Sequence, residues 1–171
     1  MSPEGAVPGP IGPSEADLDA LGRFAGDLAD GVERALPGWV RRCVDQRHME
    51  ALGRPPTPEV AERAADAGRA AVDDVAPRVR ALLALDVDEQ RTGPLALVRE
   101  AVPYPTAVLR AAGVPPVTRD EVAERQFPAD VYDLSPASFA ELDEALHEPG
   151  LVWGAAKAHV HLSRRRAEGQ R

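Results

Sequence analysis

Proline limits the length of every regular segment this chain can form. There are 17 prolines, most of them paired or beside Gly, Ser or Thr, and each one inside a helix removes a backbone hydrogen bond at a cost of about 3 kcal/mol. Between them the apolar residues recur three and four apart, the period of a helix with one buried face. The chain therefore reads as a series of helices divided by proline. Residues 1–13 hold Pro and Gly too densely for a helix or a ladder, and a disordered tail is expected there. Ser14 is an N-cap, with Glu15, Asp17 and Asp19 at the positive end of the first helix dipole. Leu18, Leu21, Ala25, Leu28 and Val32 form its stripe.

Pro37 suits the first turn of a second helix carrying Val40, Val44, His48 and Leu52 on one face. Gly53 and Arg54-Pro55-Pro56 end that helix. Thr57-Pro58 opens a third, with the narrow stripe Val60, Ala64, Ala67, Ala71 and Val75 and the (i, i+4) pairs Glu59/Arg63 and Arg69/Asp73. Pro77 either kinks it or starts a helix to about Gln90 with Val79, Leu82, Leu83 and Val87 inward. Thr92-Gly93-Pro94 restarts the chain through Leu95, Val98 and Val102. A stop or bend follows at Pro103-Tyr104-Pro105, then a further turn through Val108 and Leu109 that Gly113 and Pro115-Pro116 close.

Thr118-Arg119-Asp120-Glu121 fits a capping box, and the short helix it opens ends at Phe127-Pro128. Residues 129–134 read as an extended loop. Ser135-Pro136 caps a helix carrying Phe139, Leu142 and Leu146, which Pro149-Gly150 breaks. The last helix is expected from Leu151 to about Arg166, with Leu151, Ala155, Ala158 and Leu162 as its buried stripe, widened by Trp153 and Val160. Aromatic residues make up only 4% of the chain, so the core must come from Ala, Val and Leu, and Ala at contact positions brings helices close. The expected fold is all-α: an irregular bundle of six to eight helices in one domain over 14–166, with frayed residues 167–171 and no strand or internal repeat.

The formal charge of −8 argues against a general affinity for nucleic acid or an anionic membrane. Lysine occurs once, at Lys157, and asparagine not at all, while Ala and Arg abound. This is the coding signature of a high-GC genome, so the arginines are not read as phosphate-binding forks. One cysteine, Cys43, excludes an intrachain disulfide and a cysteine-based zinc site. With no signal-peptide pattern and no run of about 20 apolar residues, the cytoplasm is the expected compartment.

Three stretches carry a resemblance: RTGPLALVREAVPYPTAVLRAAGVPPV (91–117), FPADVYDLSPASF (127–139) and EPGLVWGAAKAHVHLSRRR (148–166). They are similar to motifs of a helical protein family of high-GC bacteria that has no assigned activity. The resemblance implies no catalytic residue. It directs attention to the C-terminal half.

Few residue patterns point to chemistry. Glu144 and His147 form an E-x-x-H pair that would share a helix face, but a di-iron site needs a second pair and two more carboxylates. The partial copy Asp45…His48 does not supply them, so neither metal nor cofactor is expected. His159 and His161 lie about 200° apart on a helix and cannot share one ion. His159 is placed on the apolar side and half-buried, His161 on the polar face with Lys157 and Arg165, and His48 within the Val44–Leu52 stripe. Cys43 is either a small buried hydrophobe or a thiolate favoured by Arg41, Arg42 and Arg47. Phe127, Val131 and Tyr132 either anchor their loop to the core or form an exposed patch.

Charge is polarised along the C-terminal half. Residues 118–148 are strongly acidic and residues 152–171 basic, either as two solvated faces that pair with each other or as a docking surface. Three functional readings follow. The first is a non-enzymatic protein–protein interaction or regulatory module with an unidentified protein partner, for which Tyr132 and the cations Arg164, Arg165 and Arg166 are candidate contacts. The second is an enzyme, or a metal- or ligand-binding protein, with a site between helices around Arg91, Arg99, Tyr104, Asp130 and Asp133. The third is nucleic-acid binding through the basic last helix, where only Trp153 is available for stacking.

Overall fold

The structure, a computed structural model, describes residues 12–170. Of the expected N-terminal tail only residues 12 and 13 fall within that range, and the rest of that expectation lies outside the described residues. The described chain is all-α, an irregular bundle without a strand. Its helices are α1 (Glu15–Leu52), α2 (Pro58–Ala84), α3 (Pro94–Arg99), α4 (Pro103–Ala111), α5 (Glu121–Gln126), α6 (Phe139–Leu142) and α7 (His147–Gly169), with a 3₁₀ turn at Glu144–Leu146. The most extensive contact is between α1 and α2, and α1 also meets α4, α6 and α7.

Helix α1 begins as its sequence dictates. The Ser14 hydroxyl accepts from the Asp17 amide while the Asp17 carboxylate accepts from the Ser14 amide, a complete capping box. It ends at Gly53, whose φ of 65° is the left-handed cap that glycine adopts without strain. The division expected at Pro37 does not occur: α1 runs through it. Leu28, Val32, Leu36, Val40 and Val44 are fully buried at every fourth position, so burial on both sides of Pro37 outweighs its missing hydrogen bond.

Helix α2 opens at the Thr57 cap and likewise runs through Pro77 as one element, ending at Ala84 and not near Gln90. Val79, Leu82, Leu83 and Val87 are nevertheless all buried, the last from a turn beyond the helix. The two long helices meet backbone to backbone. A Cβ on Gly68 would lie 3.1 Å from the Cα of Pro37 and 3.3 Å from its carbonyl oxygen, so any larger residue would push the two backbones apart by a few tenths of an ångström. Outside it, Arg80 pairs with Asp30 and Glu33, both at 2.8 Å. The pair Glu59/Arg63 forms as expected at 2.7 Å, but Arg69 turns to Asp66 and not to Asp73.

Several helix boundaries in the C-terminal half differ from those expected. Thr118 does not cap α5; Asp120 does, accepting from the Ala123 amide at 2.8 Å. Helix α6 starts at Phe139 behind Ser138, not behind Ser135. Pro149-Gly150 does not break the last helix, because both lie in the first turn of α7, where proline sacrifices no intrahelical bond. Gly150 is required there: a Cβ would approach the Phe139 ring to 2.8 Å. Helix α7 continues to Gly169, past the point where fraying was expected.

The face that α7 buries differs from the expected one. Trp153, Val160 and Ser163 point inward, while Leu151 and Leu162 are 62% and 53% exposed. The indole and Val160, expected to widen that stripe, lie on the opposite side of the helix and form the buried face. A tryptophan buries far more apolar area than Ala155 and Ala158 together can offer, and it sets the rotation of the helix.

Candidate functional site

A cleft of about 550 Å³ lies between α3–α4 and the segment 127–135. Val102, Pro103, Ala107, Phe127 and Pro128 make its lining mostly apolar. Its polar lining is Arg99, Glu100, Thr106, Arg110, Asp130 and Ser135, with the Glu100 carboxylate paired to Arg78 of α2.

Helix α4 presents two of them. Its buried face is Pro105, Thr106, Val108 and Leu109, which fixes its rotation and turns Arg110 outward. Arg110 is exposed and makes no ion pair among the described residues. Thr106 is 5% exposed and its hydroxyl has no hydrogen-bond partner. Such a group normally finds one, because an unsatisfied buried hydroxyl costs about 1–3 kcal/mol. Arg99, at the end of α3, donates through Nε to the Pro136 carbonyl at 3.0 Å and lies 5.3 Å from the centre of the Phe127 ring. Its two terminal nitrogens make no hydrogen bond to the described residues.

The opposite wall is a folded shelf, not the expected extended loop. Asp130, 4% exposed, is its pin. Both its oxygens accept from the Leu134 amide at 2.9 Å, and one accepts from the Ser135 amide at 2.8 Å. The chain can turn so tightly because Asp133 adopts a φ of 56°, a left-handed conformation that aspartate tolerates better than most residues. Tyr132 is fully buried, and its hydroxyl donates to the Val114 carbonyl at 2.7 Å. Burial holds this phenol above its usual pKa. Arg119 donates to the Phe127 carbonyl at 2.7 Å, and the Val117 amide donates to Val131. Tyr132 anchors the loop to the core, with Phe127 and Val131 half-buried beside it.

The residues grouped around 91–133 therefore do not converge as one site. Arg99 and Asp130 line the cleft. Arg91 is exposed and not part of it. The Tyr104 hydroxyl donates to Asp74 at 2.9 Å, which raises its pKa, and that carboxylate belongs to α2. Asp133 faces the α1 side, where its carbonyl accepts from Arg47 at 3.2 Å. Sequence reading missed Thr106 and Arg110. Their signal was present in the (i, i+4) spacing of a helix that turns both toward the same side.

The remaining candidates have structural partners. Arg164 pairs with Asp86 and Asp88, beyond the end of α2, and holds Asp86 below the ordinary carboxylate pKa. The acidic 118–148 segment does not neutralise it, so the two polarised segments do not pair through this residue. Arg165 and Arg166 are exposed. Trp153 is 6% exposed and so is closed to base stacking. His48 is buried, with Nδ1 2.9 Å from the Arg54 carbonyl. His159 is exposed, not half-buried, with Nε2 3.6 Å from Asp17. Burial pushes the Cys43 thiol up to about 12 despite Arg42 and Arg47, so it is no thiolate at neutral pH. Glu144 lies in the 3₁₀ turn and His147 begins α7, so they do not share one regular helix face. Among the described residues no three or more His, Cys, Asp or Glu side chains are grouped to hold a metal ion, and no helix is long and apolar enough to cross a membrane. No protein-family model, curated protein or solved structure matches the chain.

Proposed function

We propose that this protein is a non-enzymatic binding module that holds an apolar, carboxylate-bearing segment of a partner protein in the cleft between Arg99 and Arg110. One observation carries this reading: a mostly apolar cleft brings together a guanidinium with no ion-pair partner and a second with free terminal nitrogens, while its two carboxylates, Glu100 and Asp130, are engaged by Arg78 and by backbone amides. The lining supplies about 25 cal/mol for each Å² of apolar surface a ligand buries. The arginines supply planar forks that match a carboxylate in two hydrogen bonds.

The acid–base groups nearby favour binding over catalysis. The Asp130 carboxylate is occupied by three backbone hydrogen bonds, and the Glu100 carboxylate is paired with the Arg78 guanidinium. A general base must be free to reach the proton it takes, and neither group is. The stretches 91–117 and 127–139, which resemble the high-GC bacterial family, are those that form the cleft. The partner is expected in the cytoplasm of such a bacterium, the setting that a single cysteine and the Arg-for-Lys bias fit.

Panning a random peptide display library on the full chain tests the proposal. Enriched peptides should combine Asp, Glu or a C-terminal carboxylate with an aromatic or branched aliphatic anchor. Calorimetric titration of one such peptide should weaken about tenfold or more with Arg110→Glu, at an unchanged melting temperature. Enriched peptides without a carboxylate, or binding indifferent to Arg110→Glu, would overturn it.

A further inference from the structure

The sequence of α7 marks a face for burial that the fold leaves in solvent. Leu151, Ala155, Ala158 and Leu162 repeat at four, three and four residues, and at 100° per residue they lie within an arc of about 60°. Leu151 and Leu162 are two of the most exposed large apolar side chains among the described residues. The side of α7 that packs on the domain, through Trp153, Val160 and Ser163, is opposite. Glu148 and Arg165 extend the exposed row by one position at each end, and both are exposed.

We infer that α7 pairs antiparallel with the α7 of a second copy of this chain, through the row Glu148, Leu151, Ala155, Ala158, Leu162 and Arg165. The row reads the same from either end except for charge, which is opposite at the two ends. A twofold axis between Ala155 and Ala158 sets Leu151 against the partner's Leu162 and Ala155 against the partner's Ala158. The same axis sets Glu148 against the partner's Arg165. Each contact then occurs twice, as a closed isologous interface requires. The spacing is that of a coiled-coil seam, and alanine at its centre lets the backbones approach closely. A parallel pair would place Glu148 on Glu148 and Arg165 on Arg165, like charges that disfavour it. Two helices of this length bury less than the roughly 800 Å² per partner of a standard stable interface, so a weak, concentration-dependent dimer is expected. None of the residues of this row lines the cleft of α3–α4.

Sedimentation equilibrium of the full chain from about 1 μM to about 1 mM tests the pairing. The wild type should pass from monomer to dimer across that range. Leu162→Glu should raise the dimer Kd by about 100-fold or more, with an unchanged circular dichroism spectrum because the side chain is exposed. Glu148→Arg and Arg165→Glu should each weaken the dimer about tenfold, and the double charge swap Glu148→Arg/Arg165→Glu should restore it. A monomer at every concentration, or a dimer insensitive to Leu162→Glu, would overturn the inference. A double swap no better than the single variants would overturn the antiparallel register.

Discussion

From Glu15 to Ala84 the backbone is held by repetition, whereas from Pro94 to Leu146 it is held by single side chains that reach carbonyls and amides. In the α1–α2 hairpin no polar side chain secures the crossing. Valine, leucine and alanine recur every third or fourth residue, and two prolines are carried inside without a break. In the later segment the longest helix has 9 residues. There Arg99, Arg119, Asp130 and Tyr132 each hold one turn through a hydrogen bond to the backbone, and Arg42 of α1 donates to the Leu142 carbonyl. Stability is spread out in the first region and concentrated in the second. The concentrated region is the one that forms the cleft, where a few polar groups set the position of a binding surface.

The largest effect should come from the hairpin. Leu36 is fully buried on α1 beside Pro37, and Leu36→Ala should cost about 2–5 kcal/mol. Because the α1–α2 contact underlies the whole domain, thermal unfolding should stay a single transition at a lower temperature. Two separate transitions would show that the C-terminal segment folds independently of the hairpin.

A smaller effect is expected at the shelf. Tyr132→Phe keeps the ring and removes the hydroxyl that serves the Val114 carbonyl, leaving a buried acceptor unpaired at a cost of about 1–3 kcal/mol. Chemical denaturation would measure it, and a cost near zero would remove Tyr132 from the set of anchors.

The least effect is expected on the outer face of α7. In dilute protein Leu162→Ala should change stability by no more than about 0.5 kcal/mol, because the side chain is 53% exposed. A loss of several kcal/mol would mean that α7 is rotated, with Leu162 in the core as its spacing in the sequence suggests.

The contrast also governs what the sequence made legible. Caps at Ser14, Gly53 and Thr57 and the central parts of the α1 and α2 stripes were readable, because local capping and helical period agree with the tertiary fold there, whereas Leu18 and Leu52 at the two ends of α1 are exposed. Pro37 and Pro77 misled because the cost of an internal proline is local and the burial that offsets it is not. Around the cleft the determinants are long-range. Arg99 reaches Pro136 across 37 positions and Tyr132 reaches Val114 across 18, separations that no periodicity encodes. Asp130 was singled out by its residue type and its place in an aperiodic stretch, but its role as a turn pin depends on where Leu134 and Ser135 return. On α7, the Leu–Ala–Ala–Leu spacing outranked one tryptophan in the reading, while in the fold the tryptophan decides which face turns inward.

Amide hydrogen exchange measured by NMR on wild type and Asp130→Ala tests most directly whether the Asp130 side chain pins the turn at Leu134 and Ser135 in the cleft wall. In the wild type the Leu134 and Ser135 amides should exchange slowly, since the Asp130 carboxylate accepts from both. In Asp130→Ala they should exchange at rates close to those of an unstructured chain, while the amides of α1 and α2 keep their protection. Equal loss of protection across the hairpin, or retained protection at Leu134 and Ser135, would contradict the account.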